Sequence, residues 1–125
     1  MIVLDASALL AYLYAEPGHE SVPPLLQESH VSAVNWSETL QQIAFHGGDP
    51  DRQGALLIVL GVTVQPLTEE DAARAAKLYP ATRAAGLSLA DRCCLALAGR
   101  LGVPALTADR AWSGLDAGAE IRVLH

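Results

Sequence analysis

Residues 1–13 read MIVLDASALLAYL. Four apolar residues, Met1 to Leu4, run straight into a carboxylate, Asp5, and then into a segment with helical character from Ala6 to about Ala15. That helix should stop before Pro17, because the residue preceding a proline avoids the helical region. A short apolar strand, an acid, then a helix: the same alternation recurs along the chain and argues for an α/β sheet with parallel strands.

The later elements follow the same reading. SVPPLLQE carries a short helix with Pro23 and Pro24 in its first turn, where missing N–H groups cost little. HVSAV, His30 to Val34, reads as the second strand, and Asn35 to His46 as a helix closed by Gly47 and Gly48. DPDRQGALLIVLG is a helix capped by Asp49 or Asp51, VTVQPL a third strand, and TEEDAARAAKLY a helix capped by Thr68. Ser88 to Leu101 is a helix with an apolar stripe that includes Cys93, Cys94 and Leu97. VPALTAD is the fourth strand, stopping near Thr107, and Ile121 to Leu124 the last.

A chain of 125 residues forms one domain, 1–125, burying roughly two-thirds of its unfolded surface. Its composition, 51% hydrophobic and 18% charged, is that of a globular protein. No apolar run approaches the roughly 20 residues that span a bilayer. No Lys or Arg precedes Arg52, so the start lacks the basic stretch of a signal peptide. The expected location is the cytoplasm, without membrane attachment. Cys93 and Cys94 are helix neighbours pointing in different directions, which suits small buried hydrophobes rather than a disulfide. The histidines show no zinc-ligand spacing. A formal net charge of -6 points away from binding nucleic acid through overall positive charge, though not from a local basic surface.

The acids fall at informative places. Asp5 ends the first strand, Glu38 lies in the first turn of the helix after the second, and Asp109 lies just past the fourth. In an open parallel sheet, strand ends and the helix starts that follow them gather at one edge, where ligands bind. Asp91, in the first turn of the Ser88 helix, joins them if that helix begins at the same edge. Taken singly, each acid reads as a cap, and Asn35-x-x-Glu38, Thr68-x-x-Asp71 and Ser88-x-x-Asp91 all have capping-box spacing, although Asp109 has no helix start that clearly needs it. Together they make a like-charged cluster that is costly when partly buried and lacks a counterion. A divalent cation such as Mg²⁺ or Mn²⁺ is the natural partner for carboxylate oxygens, and phosphodiester hydrolysis is the chemistry such a site does best. No Ser-His-Asp set, Walker lysine or G-x-G-x-x-G competes.

VLDASALLAYL, SAVNWSE, LSLADRCCLALA and LTADRAW, in that order, resemble PIN-domain ribonucleases, and more narrowly the VapC-type toxins of bacterial toxin–antitoxin pairs. The resemblance covers essentially the whole chain. It implies a three-layer α/β/α fold with a five-stranded parallel sheet. It also implies an Mg²⁺- or Mn²⁺-dependent endoribonuclease acting on RNA, often a homodimer, and neutralised by a cognate antitoxin. The family's acidic quartet falls on Asp5, Glu38, Asp91 and Asp109, and its supporting hydroxyls on Ser7 and Thr107. Arg83, Arg92 and Arg110 are candidates for RNA phosphate contacts, and equally read as solvated surface. Trp36 fits a core face, while Trp112 is open between core packing and stacking on a base. Pro23-Pro24 departs from the uninterrupted helix usual in relatives.

Two rival readings differ in class. A catalytically idle PIN-like module would only bind a partner. A phospho-acceptor receiver domain would also hold Mg²⁺ in an acidic pocket, but it wants an aspartate at the end of a central third strand, and VTVQPL ends without one.

Overall fold

A computed structural model describes all of residues 1–125. Its strands are β1 (Ile2–Leu4), β2 (Ser29–Ser32), β3 (Thr63–Gln65), β4 (Ala105–Thr107) and β5 (Ile121–Val123). Its helices are α1 (Ala6–Leu13), α2 (Pro23–Leu26), α3 (Ala33–Phe45), α4 (Pro50–Val59), α5 (Glu69–Lys77), α6 (Tyr79–Thr82) and α7 (Leu89–Leu101). Three short 3-10 turns complete the chain at His19–Ser21, Arg83–Ala85 and Arg110–Trp112. The strands form one sheet in the order β3-β2-β1-β4-β5, every pair parallel.

Strand residues alternate between faces, and β1 shows why this sheet is covered on both sides. Ile2 and Leu4 pack with Leu9 of α1, Leu26 of α2 and Leu57 of α4. Val3 points the other way, into a cluster with Cys94, Leu95 and Leu97 of α7 and with Trp112. Helices on both faces give the expected three layers. Cys93 and Cys94 are free and buried, as their helical neighbourhood required. No helix is long and apolar enough to cross a membrane.

Several boundaries move, for identifiable reasons. The stretch Ala33–Val34 belongs to α3 rather than to the second strand, because Ser32 adopts extended geometry (φ -63, ψ 142) and its side chain accepts from the Val34 N–H. Asn35 is therefore inside the helix and caps nothing, and Glu38 stands in the second turn rather than the first. The helix after Thr68 ends at Lys77, and Pro80 sits in the first turn of the separate α6. Gly61 links α4 to β3 at φ +115, with Gln27 so close that an added Cβ would lie 2.5 Å from its Cα. Trp112 is fully buried, which removes it as a base-stacking platform.

The sheet order also disposes of the receiver reading. There β3 would be central, whereas here it is an edge strand and β1, which leads directly into Asp5, is the middle one.

Candidate acidic active site

Strands β1 and β4 pair in parallel with Leu4 opposite Leu106, so their ends come out side by side. That pairing brings Asp5, the residue after β1, next to Thr107, the last residue of β4. Asp5 is 3% exposed and caps α1. Its Oδ1 accepts from the Ala8 N–H at 2.8 Å and from the Ser7 hydroxyl at 2.7 Å. Its Oδ2 accepts from the Thr107 hydroxyl at 2.6 Å. Burial pushes the Asp5 carboxyl up to about 6, against the pull of the Thr107, Ser7 and Ala8 hydrogen bonds, and the charge of Asp91 pushes the same way. The two hydroxyls also fasten the loop after β4. Ser7 Oγ accepts from the Ala108 N–H at 2.9 Å, and Thr107 Oγ1 from the Asp109 N–H at 3.0 Å.

Asp109 then caps the following 3-10 turn, its Oδ1 accepting from the Ala111 N–H at 2.9 Å. Asp91 completes a capping box at the start of α7, its Oδ2 accepting from the Ser88 N–H at 2.9 Å. Capping is thus realised for Asp5, Asp91 and, at a 3-10 turn, Asp109, but not for Glu38, whose box with Asn35 does not form. It does not exhaust them, because Asp5, Ser7, Glu38, Asp91 and Asp109 together line one open cavity of about 390 Å³. Glu38 reaches it from α3. Burial raises the Glu38 carboxyl, the hydrogen bond from Asn35 lowers it, and Asp91 raises it again.

Gln41 and Gln42 also line the cavity, two residues the sequence reading does not single out. They sit one helical turn beyond Glu38, and that spacing was the available signal. Arg83, Arg92 and Arg110 do not line it. Arg92 is turned against α5 and α6, donating to the Ala75 carbonyl at 2.9 Å with its guanidinium 5.2 Å from the Tyr79 ring centre. Arg110 donates to the His125 carbonyl at 3.1 Å, and Arg83 is exposed in the turn before α7.

Four carboxylates with no cationic side chain in the lining make a donor set of hard oxygens, suited to Mg²⁺ or Mn²⁺. The hydrogen bonds occupy one oxygen each of Glu38, Asp91 and Asp109, and leave Glu38 Oε2, Asp91 Oδ1 and Asp109 Oδ2 without a donor. The acids are nonetheless spread: no three His, Cys, Asp or Glu side chains are gathered closely enough to hold an ion as they stand. The residues fit a divalent cation by their chemistry and by the cavity they share, with the carboxylates standing apart around its wall.

A family model described as PIN domain matches residues 2–118. Among curated proteins, none matches the sequence. Solved structures do. A toxin-antitoxin complex from Klebsiella pneumoniae superposes with a TM-score of 0.80 at 14% identity, over 100% of this chain and 98% of that one. Mycobacterium tuberculosis VapC20, described as a Sarcin-Ricin loop cleaving toxin, gives 0.73 at 17% identity over 92% and 96%. VapBC2 from Rickettsia felis, bound to a DNA fragment from its promoter, gives 0.74 at 14% identity over 98% of both chains. At such identities the likeness is one of fold.

Proposed function

The chain belongs to the PIN domain family, and from that premise we propose that it is a metal-dependent endoribonuclease, the toxin of a toxin–antitoxin pair. The observation that carries the reading is the convergence of four acids, from four separate segments, on one cleft that has no cationic side chain. The descriptions of similar folds, a toxin-antitoxin complex and a Sarcin-Ricin loop cleaving toxin among them, support the toxin assignment and RNA as substrate.

In this reading Asp5 and Asp91 are the principal ligands of Mg²⁺ or Mn²⁺, with Glu38 and Asp109 completing the set or orienting the attacking water. The cation, when bound, supplies Lewis-acid activation and charge neutralisation at the phosphodiester. The chain's own contribution is placement. Ser7 and Thr107 hold the Asp5 carboxylate in a fixed orientation at the bottom of the cleft. Gln41 and Gln42 offer neutral amides to the substrate along the α3 wall. RNA phosphates outside the cleft fall to exposed arginines, Arg110 beside Asp109 and Arg83 before α7; Arg92, engaged elsewhere, is not assigned this role. A cognate antitoxin, a homodimeric state and a cytoplasmic setting complete the proposal.

The test is cleavage of RNA with Mn²⁺ by the parent, Asp5→Asn and Asp91→Asn. The parent cuts, and both variants remain folded and lose cleavage. A variant that cuts at the parental rate overturns the assignment. A parent whose thermal midpoint stays flat up to millimolar Mn²⁺ favours the idle binding module instead, because an ion that binds only the folded state must raise the midpoint.

A further inference from the structure

We infer that Asn35 is a positioning residue, whose side-chain amide fixes the two helical walls of the acidic cleft relative to each other and, through Glu38, prepares them to take up a cation. The inference deepens the metal-dependent reading and rests on it. Asn35 is 0% exposed. Its Nδ2 donates to Glu38 Oε1 at 3.1 Å and to the Ala90 carbonyl at 3.1 Å. Glu38 is the acid of α3, and Ala90 immediately precedes Asp91, the acid of α7. One NH₂ group therefore spans the two elements at the level of their cleft-lining carboxylates.

Both partners are acceptors only, so the amide has one possible orientation. Turned over, it would set its own oxygen against a carboxylate and a carbonyl. No other group donates to the Glu38 carboxylate, and the donor it has is neutral. An arginine in that place would cancel the charge of Glu38. An amide orients the carboxylate and leaves its charge available to a cation, which is how partners of ligating carboxylates act in metal sites.

The arrangement has a cost that packing alone does not explain. Asn35 Oδ1 is buried with no hydrogen-bond partner, and a buried unpaired acceptor destabilises the fold. A leucine of similar size would fill the space without that penalty. What leucine cannot supply is the pair of donors.

The experiment uses Asn35→Leu, which removes both donors and the orphaned acceptor, with Asn35→Ala held to the same criteria should the leucine variant fail to fold. Three quantities are read: the thermal midpoint without metal, Mn²⁺ affinity by calorimetry, and kcat and KM for RNA. The midpoint stays near or above the parental one, Mn²⁺ affinity falls about 10-fold, and kcat falls about 10- to 100-fold with KM little changed. Combined with Glu38→Gln, the substitution adds little to the loss caused by Glu38→Gln alone, since it acts through that carboxylate. Parental Mn²⁺ affinity and kcat in the Asn35 variant, or losses that multiply fully in the double variant, overturn the inference and leave the nuclease reading standing. A parent that takes up no Mn²⁺ overturns both.

Discussion

Thr107 donates a 2.6 Å hydrogen bond to Asp5 across a sequence separation of 102 residues. It is the contact by which the parallel pairing of β1 and β4 becomes a property of the cleft. Thr107→Val keeps the shape and β-branching but removes the hydroxyl. Asp5 Oδ2 then loses its donor in a buried place, and the Asp109 N–H loses its acceptor. A cost of about 1–3 kcal/mol follows from leaving such groups unpaired. Urea unfolding at neutral pH measures it, and Thr107→Ser, which restores the hydroxyl, recovers most of the loss. Equal stability of the parent and Thr107→Val would show that the hydrogen bond contributes nothing.

The raised carboxyl of Asp5 gives a pH signature with a definite sign. An acid whose folded pKa lies above its unfolded value holds its proton more tightly in the folded protein. Its contribution is complete at low pH and is withdrawn as pH rises from 3.8 through about 6. At roughly 1.4 kcal/mol per unit, the penalty at neutral pH is on the order of 3 kcal/mol. Asp5→Asn does not carry this penalty. In the presence of a chelator, the midpoint of the variant gains on that of the parent between pH 4 and 6, and the gap levels off above about 7. A gap that is constant with pH contradicts a buried, ionisable Asp5.

How far the sequence reveals this arrangement depends on the range of the interaction. Strands and most helices are legible because their signals are local: the apolar run ending at Asp5, the proline pair opening α2, the capping box of Ser88 and Asp91. Even the gathering of Asp5, Glu38, Asp91 and Asp109 at one edge follows from parallel topology, which places strand ends together. The start of α3 is misplaced because Val34 is β-branched and reads as strand, whereas the Ser32 cap decides the matter. The Asn35 contact joins residues 55 apart, and no local spacing announces it. Trp112 stands in a polar stretch, yet it belongs to one buried cluster with Val3, Leu97 and Ala105 from distant segments. The destination of Arg92 is decided by α5 and Tyr79, not by its own helix.

A second buried aspartate carries the opposite sign. Asp71 caps α5 through Thr68, as its spacing predicts, but it is also 1% exposed and accepts from Arg100 Nε at 2.7 Å and Nη2 at 3.1 Å. Burial raises its carboxyl, and the bonds from Arg100 and Thr68 outweigh that, so the net pKa lies below the ordinary value. Its stabilisation is therefore present above the unfolded pKa and is lost as pH falls through the lower, folded one. The partners are unequal in burial, because the Arg100 side chain is 24% exposed and reaches water without Asp71. Arg100→Leu strands a carboxylate in the α5–α7 interface and costs about 3–5 kcal/mol at neutral pH. Asp71→Asn leaves a neutral amide beside a solvated guanidinium and costs less. Unfolding of both variants across a pH series checks the order, with the Arg100→Leu deficit shrinking in acid as Asp71 takes up its proton. A larger deficit for Asp71→Asn would mean that Arg100, rather than Asp71, is the charge that cannot reach water.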